Sequence, residues 1–192
     1  MKRKSAIKRI LGIGFVAAGA ASVYKVGSWY KTPVLNDLDL KKDLIADVAE
    51  LIIPKTDTPG AKDAHTEEYI IHAVTFIIPY YEANTFIEGI EQLAQASLKK
   101  YQQPFSKCSN EQQTELLLKM KQGGFYSKWP LLSKVKRKLL GRSFFEIVKD
   151  LSVTGYCTSE AGATKGLAYI DIPGHFNPCI PLEKGQRCWA TK

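Results

Sequence analysis

Along most of this chain apolar side chains recur at helical rather than strand spacing. Leu40, Leu44, Val48 and Leu51 with Ile52 step by four, four and three residues, the stripe of an amphipathic helix. Asp39 is placed to cap that helix and Pro54 to end it. Pro54-Lys55-Thr56-Asp57-Thr58-Pro59-Gly60 is a loop by composition. A second helix follows over 64–78, with Tyr69, His72, Ala73 and Phe76 on one face and Ile70, Val74 and Ile77 on the next. Such a helix should be widely buried, although its β-branched residues make a strand over 69–78 the competing assignment. Thr85-x-x-Glu88 has capping-box spacing and opens a third helix to about Tyr101, with Phe86, Ile90, Leu93 and Leu98 inward. Ser109-x-x-Gln112 opens a fourth, carrying Leu116, Leu117 and Met120. Further helices are predicted at 131–140 and 142–152, separated by Gly141. After Gly155 the periodicity dissolves, and Gly162, Gly166, Pro173, Gly174, Pro178, Pro181 and Gly185 mark irregular chain. The predicted fold is all-α: a compact helical domain with a long, irregular C-terminal arm containing Gly, Pro and Cys.

The N-terminal segment follows another rule. Lys2, Arg3, Lys4, Lys8 and Arg9 precede an uncharged run, Ile10 to Tyr24, that ends in small side chains (Ala17, Ala18, Gly19, Ala20, Ala21, Ser22). Those are the three parts of a secretory signal. The run has 15 residues, three of them glycine, which is short of the roughly 18 apolar residues a spanning helix needs. Arg3-Lys4-Ser5-Ala6-Ile7-Lys8 resembles a twin-arginine export motif, with Lys4 where the second arginine belongs and Ala6 in place of a bulky residue. Residues 1–24 are therefore expected to be a twin-arginine-like signal peptide directing the chain to the periplasm, 25–39 a linker, and 40–192 the domain. An uncleaved leader would leave the chain membrane-anchored.

Charge changes the picture once the leader is set aside. The formal charge is +8, but seven of the 27 Lys and Arg precede Asp37, leaving 20 against all 19 Asp and Glu. A near-neutral body lacks the electrostatic footprint of a nucleic-acid binder. One basic cluster remains, Lys128, Lys134, Lys136, Arg137, Lys138 and Arg142, which reads as a solvated helix face or a docking patch. Cys108, Cys157, Cys179 and Cys188 suit an oxidising compartment and allow three pairings.

Candidate chemistry is sparse. No Cys-x-x-Cys, His-Glu-x-x-His or Gly-x-Ser-x-Gly occurs, and Gly12-Ile13-Gly14 has neither a preceding strand nor a third glycine at the dinucleotide offset. His72 falls on the apolar face of its helix, where a satisfied core histidine is the simpler reading. His65 is a first-turn residue and His175 a loop residue. Glu67 and Glu68 read as solvated helix-surface neighbours. No catalytic, cofactor-binding or metal-ligating residue is assigned to the chain.

Two stretches carry a resemblance. One is Leu51-Ile52-Ile53-Pro54-Lys55-Thr56-Asp57-Thr58-Pro59-Gly60-Ala61. The other runs from Phe144-Phe145 through Gly155-Tyr156-Cys157-Thr158-Ser159-Glu160-Ala161-Gly162 to Leu167-Ala168-Tyr169 and Ile172-Pro173-Gly174. In this order, behind an export leader and over about residues 40–190, they resemble the gluconate 2-dehydrogenase subunit 3 family. The resemblance implies a small, non-catalytic subunit without its own redox cofactor. Its partner would be a large glucose-methanol-choline-type flavoprotein that holds FAD, oxidises a sugar or sugar acid, and passes electrons to a cytochrome subunit or another membrane acceptor. The small subunit would support assembly, stability and export of that partner. The alternative is a free-standing exported or membrane-anchored scaffold. Under the resemblance, Pro54, Pro59 and Gly60 shape a rigid turn, and Thr56, Asp57 and Thr58 bond that turn's backbone or touch the partner. Gly155, Gly162 and Gly174, the last preceded by Pro173, allow positive φ or close approach. Tyr156 and Trp189 are candidate interface anchors. Cys157 stands where the family often has an aromatic, which implies a disulfide to Cys179 or across the interface.

Overall fold

The computed structural model of the chain describes residues 32–33, 35, 37–123, 141–170, 172, 174 and 179–190. Among them run helices α1 (Lys42–Ile52), α2 (Thr66–Phe76), α3 (Tyr80–Tyr101), α4 (Asn110–Gly123) and α5 (Phe144–Thr158). 3₁₀ turns over Asp39–Lys41 and Phe105–Lys107 precede α1 and α4, and a π-helical turn over Gly162–Gly166 follows α5. No strand occurs among the described residues; the arm is fastened by a single parallel bridge between Ala168 and Trp189. The leader, the helix predicted at 131–140, Lys128, Lys134, Lys136, Arg137 and Lys138 of the basic cluster, Pro173 and His175 lie outside the described residues.

Helix α5 is central, packing on α1, α2, α3 and α4. Its start is fixed by a capping box: Ser143 Oγ accepts from the Glu146 amide at 3.4 Å, and Glu146 Oε2 accepts from the Ser143 amide at 2.9 Å. The core runs through Ile45, Val48 and Ala49 of α1, Ile70, Ala73 and Val74 of α2, and Ala83, Phe86, Ile90 and Leu93 of α3. Leu116 and Leu117 of α4 and Phe144, Ile147, Val148 and Leu151 of α5 complete it. Each such large side chain, fully buried, stabilises the fold by about 1.5–3 kcal/mol. The core also takes in Leu38 and the flank of Leu35, from the segment read as a linker.

Helix α4 starts where its capping box places it, Gln112 Oε1 accepting from the Ser109 amide at 3.1 Å. Several other expectations need correction. Helix α3 begins at Tyr80, behind an extended Pro79, not at Thr85. Thr85 sits inside it and donates its hydroxyl to the Tyr81 carbonyl at 2.8 Å, so the apparent cap is a back-bonded interior threonine. The 69–78 stretch is not a strand: Tyr69 to Phe76 are helical. Helix α2 stops before Pro79, so Phe76 and Ile77 project outward at 75% and 59% exposure. His72 is exposed too, its ring 5.0 Å from that of Phe76, and is not a core residue. The α1 seam is rotated from the predicted stripe onto Ile45, Val48 and Ala49, leaving Leu40 exposed in the 3₁₀ turn. In α3, Ser97 takes the buried place expected of Leu98. Helix α5 continues six residues past its predicted end at 152, through Gly155, Tyr156 and Cys157 to Thr158.

Candidate functional site

The loop over 54–60 is organised from below by Glu50, in the last turn of α1. Its carboxylate accepts from the backbone amides of Lys55 and Lys62, both at 2.9 Å. That clasp requires glycine at position 60, where a Cβ would stand 2.4 Å from Glu50 Oε1. The Gly60 amide donates to Asp63 Oδ2 at 3.2 Å, and Lys55 Nζ lies 3.0 Å from the same oxygen. Lys55 first, then the Gly60 amide, hold the Asp63 carboxyl below its ordinary pKa. The Ala61 amide donates to the Ile53 carbonyl at 3.0 Å and closes the base of the loop. At the tip the Thr56 amide donates to the Thr58 carbonyl at 3.1 Å, and the Thr56 hydroxyl to Asp57 Oδ1 at 3.0 Å. Asp57 therefore holds a neighbouring side chain, not the turn's backbone. Pro54 and Asp57 face solvent, while Thr58 and Pro59 are half-buried.

The second stretch comes to this loop from the far end of α5. Gly155 lets α5 lie against α2, since a Cβ there would be 2.8 Å from Tyr69 Cδ1. Below Thr158 the helix turns: Ser159 Oγ donates to the Tyr156 carbonyl at 2.7 Å and accepts from the Gly162 amide at 3.0 Å. Gly162 is needed there, because a Cβ would lie 1.9 Å from the Tyr156 carbonyl oxygen. The Tyr156 ring fits beneath Gly166, and its hydroxyl donates to the Pro59 carbonyl at 2.8 Å across 97 residues of sequence. Tyr156 is only 7% exposed, so it clasps the two stretches from inside and has little surface left as an outward anchor.

The arm completes the arrangement. Ala168 donates to the Cys188 carbonyl at 2.8 Å and accepts from the Ala190 amide at 2.9 Å, while Arg187 Nη1 donates to the Lys165 carbonyl at 2.8 Å. Between loop, π-helical turn and arm lies an open groove of about 650 Å³, lined by Lys55, Thr56, Asp57 and Thr58 on one wall and Thr164, Lys165 and Arg187 on the other. Trp189, bridged to Ala168, is 48% exposed. Gly174 has open space around it. The four cysteines are free thiols, Cys108 buried, Cys157 half-buried, Cys179 and Cys188 exposed. Cys108 donates weakly to the Pro104 carbonyl at 3.5 Å.

Other chemistry-bearing groups are engaged structurally. Among the described residues one cluster has ligand atoms within 4.8 Å of one another, His65, Glu67 and Glu68. Glu67 is 6% exposed, not solvated as its sequence neighbourhood implied. Lys42 Nζ lies 2.7 Å from Glu68, raising its own pKa and lowering that of Glu68. Both carboxylates occupy the first turn of α2, where the unpaired N–H groups favour negative charge. Arg142, read as part of a basic cluster without acids, forks onto Glu82 and reaches Asp150 at 3.1 Å. Neither described histidine is hydrogen-bonded to a serine, threonine or cysteine; His65 has its closest partner in Glu67, 3.7 Å away.

Sequence reasoning did not single out Glu50, Asp63, Lys165 or Arg187. Glu50 had a signal, a carboxylate one turn before a helix-ending Pro-rich loop with glycine at its close. The other three become neighbours of the loop only through the fold. A family model described as gluconate 2-dehydrogenase subunit 3 matches residues 39–174, spanning α1 to α5 and both stretches. No curated protein and no solved structure matches the chain.

Proposed function

The chain belongs to the gluconate 2-dehydrogenase subunit 3 family, and from that premise we propose that it is the non-catalytic small subunit of an exported, FAD-dependent sugar or sugar-acid dehydrogenase. The family name places it among the subunits of a gluconate 2-dehydrogenase-type complex. In our reading FAD and the oxidation chemistry reside in a large glucose-methanol-choline-type flavoprotein. This chain supports that partner's assembly, stability and twin-arginine export, and electrons continue to a cytochrome or another membrane acceptor.

The observation that carries the reading is the Tyr156–Pro59 hydrogen bond, which joins the two family stretches into one rigid surface. Their polar groups serve backbone: Glu50, Asp63 and Ser159 each accept main-chain amides. An arrangement in which carboxylates and glycines fix loop shape, with Pro54, Asp57 and Trp189 left facing out, suits presentation of a surface to a protein. Export rests on the basic and apolar pattern of residues 1–24, and no helix among the described residues is long and apolar enough to cross a membrane.

The test is affinity capture of the full chain from its native host, with a flavin spectrum and mass spectrometry of what accompanies it. A large flavoprotein should copurify, and deleting the chain should strand that protein in the cytoplasm. Export and full activity of the flavoprotein without this chain would overturn the proposal.

A further inference from the structure

We propose that the groove between the 54–60 loop and the Gly162–Gly166 turn receives an acidic, extended segment of the flavoprotein partner, with a carboxylate seated between Lys165 and Arg187. This rests on the function proposed above and goes one step further, to the chemistry of the contact. Three cationic side chains, Lys55, Lys165 and Arg187, line one groove in a chain whose body is close to neutral. They differ in how far they are already satisfied. Lys55 is paired with Asp63 at 3.0 Å. Lys165 has no carboxylate within salt-bridge reach among the described residues, and Arg187 uses one N–H on the Lys165 carbonyl. A guanidinium carries five donors in a planar fork suited to a carboxylate. The unmet positive charge therefore gathers at the arm side of the groove.

The opposite wall gives direction. Asp57, with Thr56 and Thr58 beside it, offers acceptors on the loop side. A uniformly anionic ligand would meet repulsion there, whereas a peptide with a carboxylate at one end and N–H or hydroxyl donors at the other matches both walls. The groove is held open from below, because Glu50 fixes the loop and Tyr156 ties it to the turn at 2.8 Å. A preformed site of this kind spares the ordering entropy that a mobile one would lose on binding. Since all three cations are exposed, the contact should depend on salt and act strongly on the association rate.

The experiment is capture of the flavoprotein by the full-length tagged chain at low and at moderate salt, comparing wild type with Lys165→Glu, Lys165→Arg and Arg187→Lys. Lys165→Glu changes only an exposed side chain whose carbonyl, not its ammonium, holds the arm. It should weaken capture roughly tenfold at low salt and flatten the salt dependence, while Lys165→Arg retains capture and Arg187→Lys, which loses the planar fork, weakens it. Wild-type capture that Lys165→Glu leaves unchanged at every salt concentration would overturn the groove while leaving the proposed function standing. A wild-type chain that captures no flavoprotein would overturn both.

Discussion

Gly155→Ala sets two opposed effects against each other at one atom. Alanine is favoured over glycine in a helix interior by about 1 kcal/mol, so α5 in isolation would gain. In the folded chain the new Cβ would stand 2.8 Å from Tyr69 Cδ1 and 3.1 Å from both Thr66 Cγ2 and Tyr69 Cβ. Carbon atoms pack comfortably at about 3.5–4.0 Å, so α2 and α5 must part by roughly half an ångström. Rotation of the Tyr69 ring relieves one of the three contacts and a χ1 change at the buried Thr66 would relieve another, but Tyr69 Cβ moves only with the α2 backbone. Overpacking of this kind costs about 1–3 kcal/mol, and α2–α5 is the most extensive helix pair among the described residues. With three contacts violated at once the upper part of that range applies, about 2–3 kcal/mol, so strain wins, with a net loss of about 1–2 kcal/mol and a fall in Tm of roughly 2–8 °C for a chain of this size. Far-UV circular dichroism during thermal and urea unfolding of the full chain measures it. Thr66→Ser removes one contacting methyl, so the double variant should recover roughly 0.5 kcal/mol beyond additivity. A Tm unchanged or raised by Gly155→Ala would show that helix propensity dominates and would refute the close-packing argument.

Three more outcomes follow from the same structure. Arg142→Leu strands Glu82, whose side chain is 7% exposed, and should lower urea stability by about 3 kcal/mol, with Glu82→Gln in the same chain recovering most of it; unaltered stability of the single variant would contradict the pairing. Tyr156→Phe loses the bond to Pro59 and should cost about 1 kcal/mol, with faster amide exchange at Gly60 and Lys62; exchange rates equal to wild type would break the link between the two stretches. Lys100, Tyr101 and Lys119 lower the Glu115 carboxyl from 4.5 to about 2. Because the folded value lies below the unfolded one, the stabilisation is complete above the unfolded value and fades as pH falls toward the folded one. A carboxyl NMR titration with a midpoint at the ordinary glutamate value would remove it.

The all-α architecture was legible because the apolar stripes of α1, α3 and α4 survive averaging over a turn, and because Ser109 announces its helix. Less legible was which face turns inward. Residues adjacent in sequence point about 100° apart on a helix, and whether Leu44 or Ile45, Leu98 or Ser97, turns inward is decided by the position of the neighbouring helices. Thr85 shows the limit of capping signals, since a threonine followed by glutamate three residues on is equally at home back-bonded inside a longer helix. In the family stretches the glycines were visible, but their reasons were not. Gly60 yields to a carboxylate from α1, Gly155 to α2, and Gly162 to the carbonyl of Tyr156, three contacts of different kinds. Tyr156 shows the same limit: an aromatic beside glycine looks like an outward anchor until Pro59 is found above it.

That one phenol has a consequence in time as well as in space. Its partner carbonyl is 97 residues nearer the start of the chain, and the bridge that fastens the arm uses residue 189 of 192. Synthesis must therefore have passed residue 189 before loop, turn and arm can be brought together. Copies in which those segments have not met display no such surface. The composite surface is thus a late product of tertiary folding, absent until its three distant segments have met.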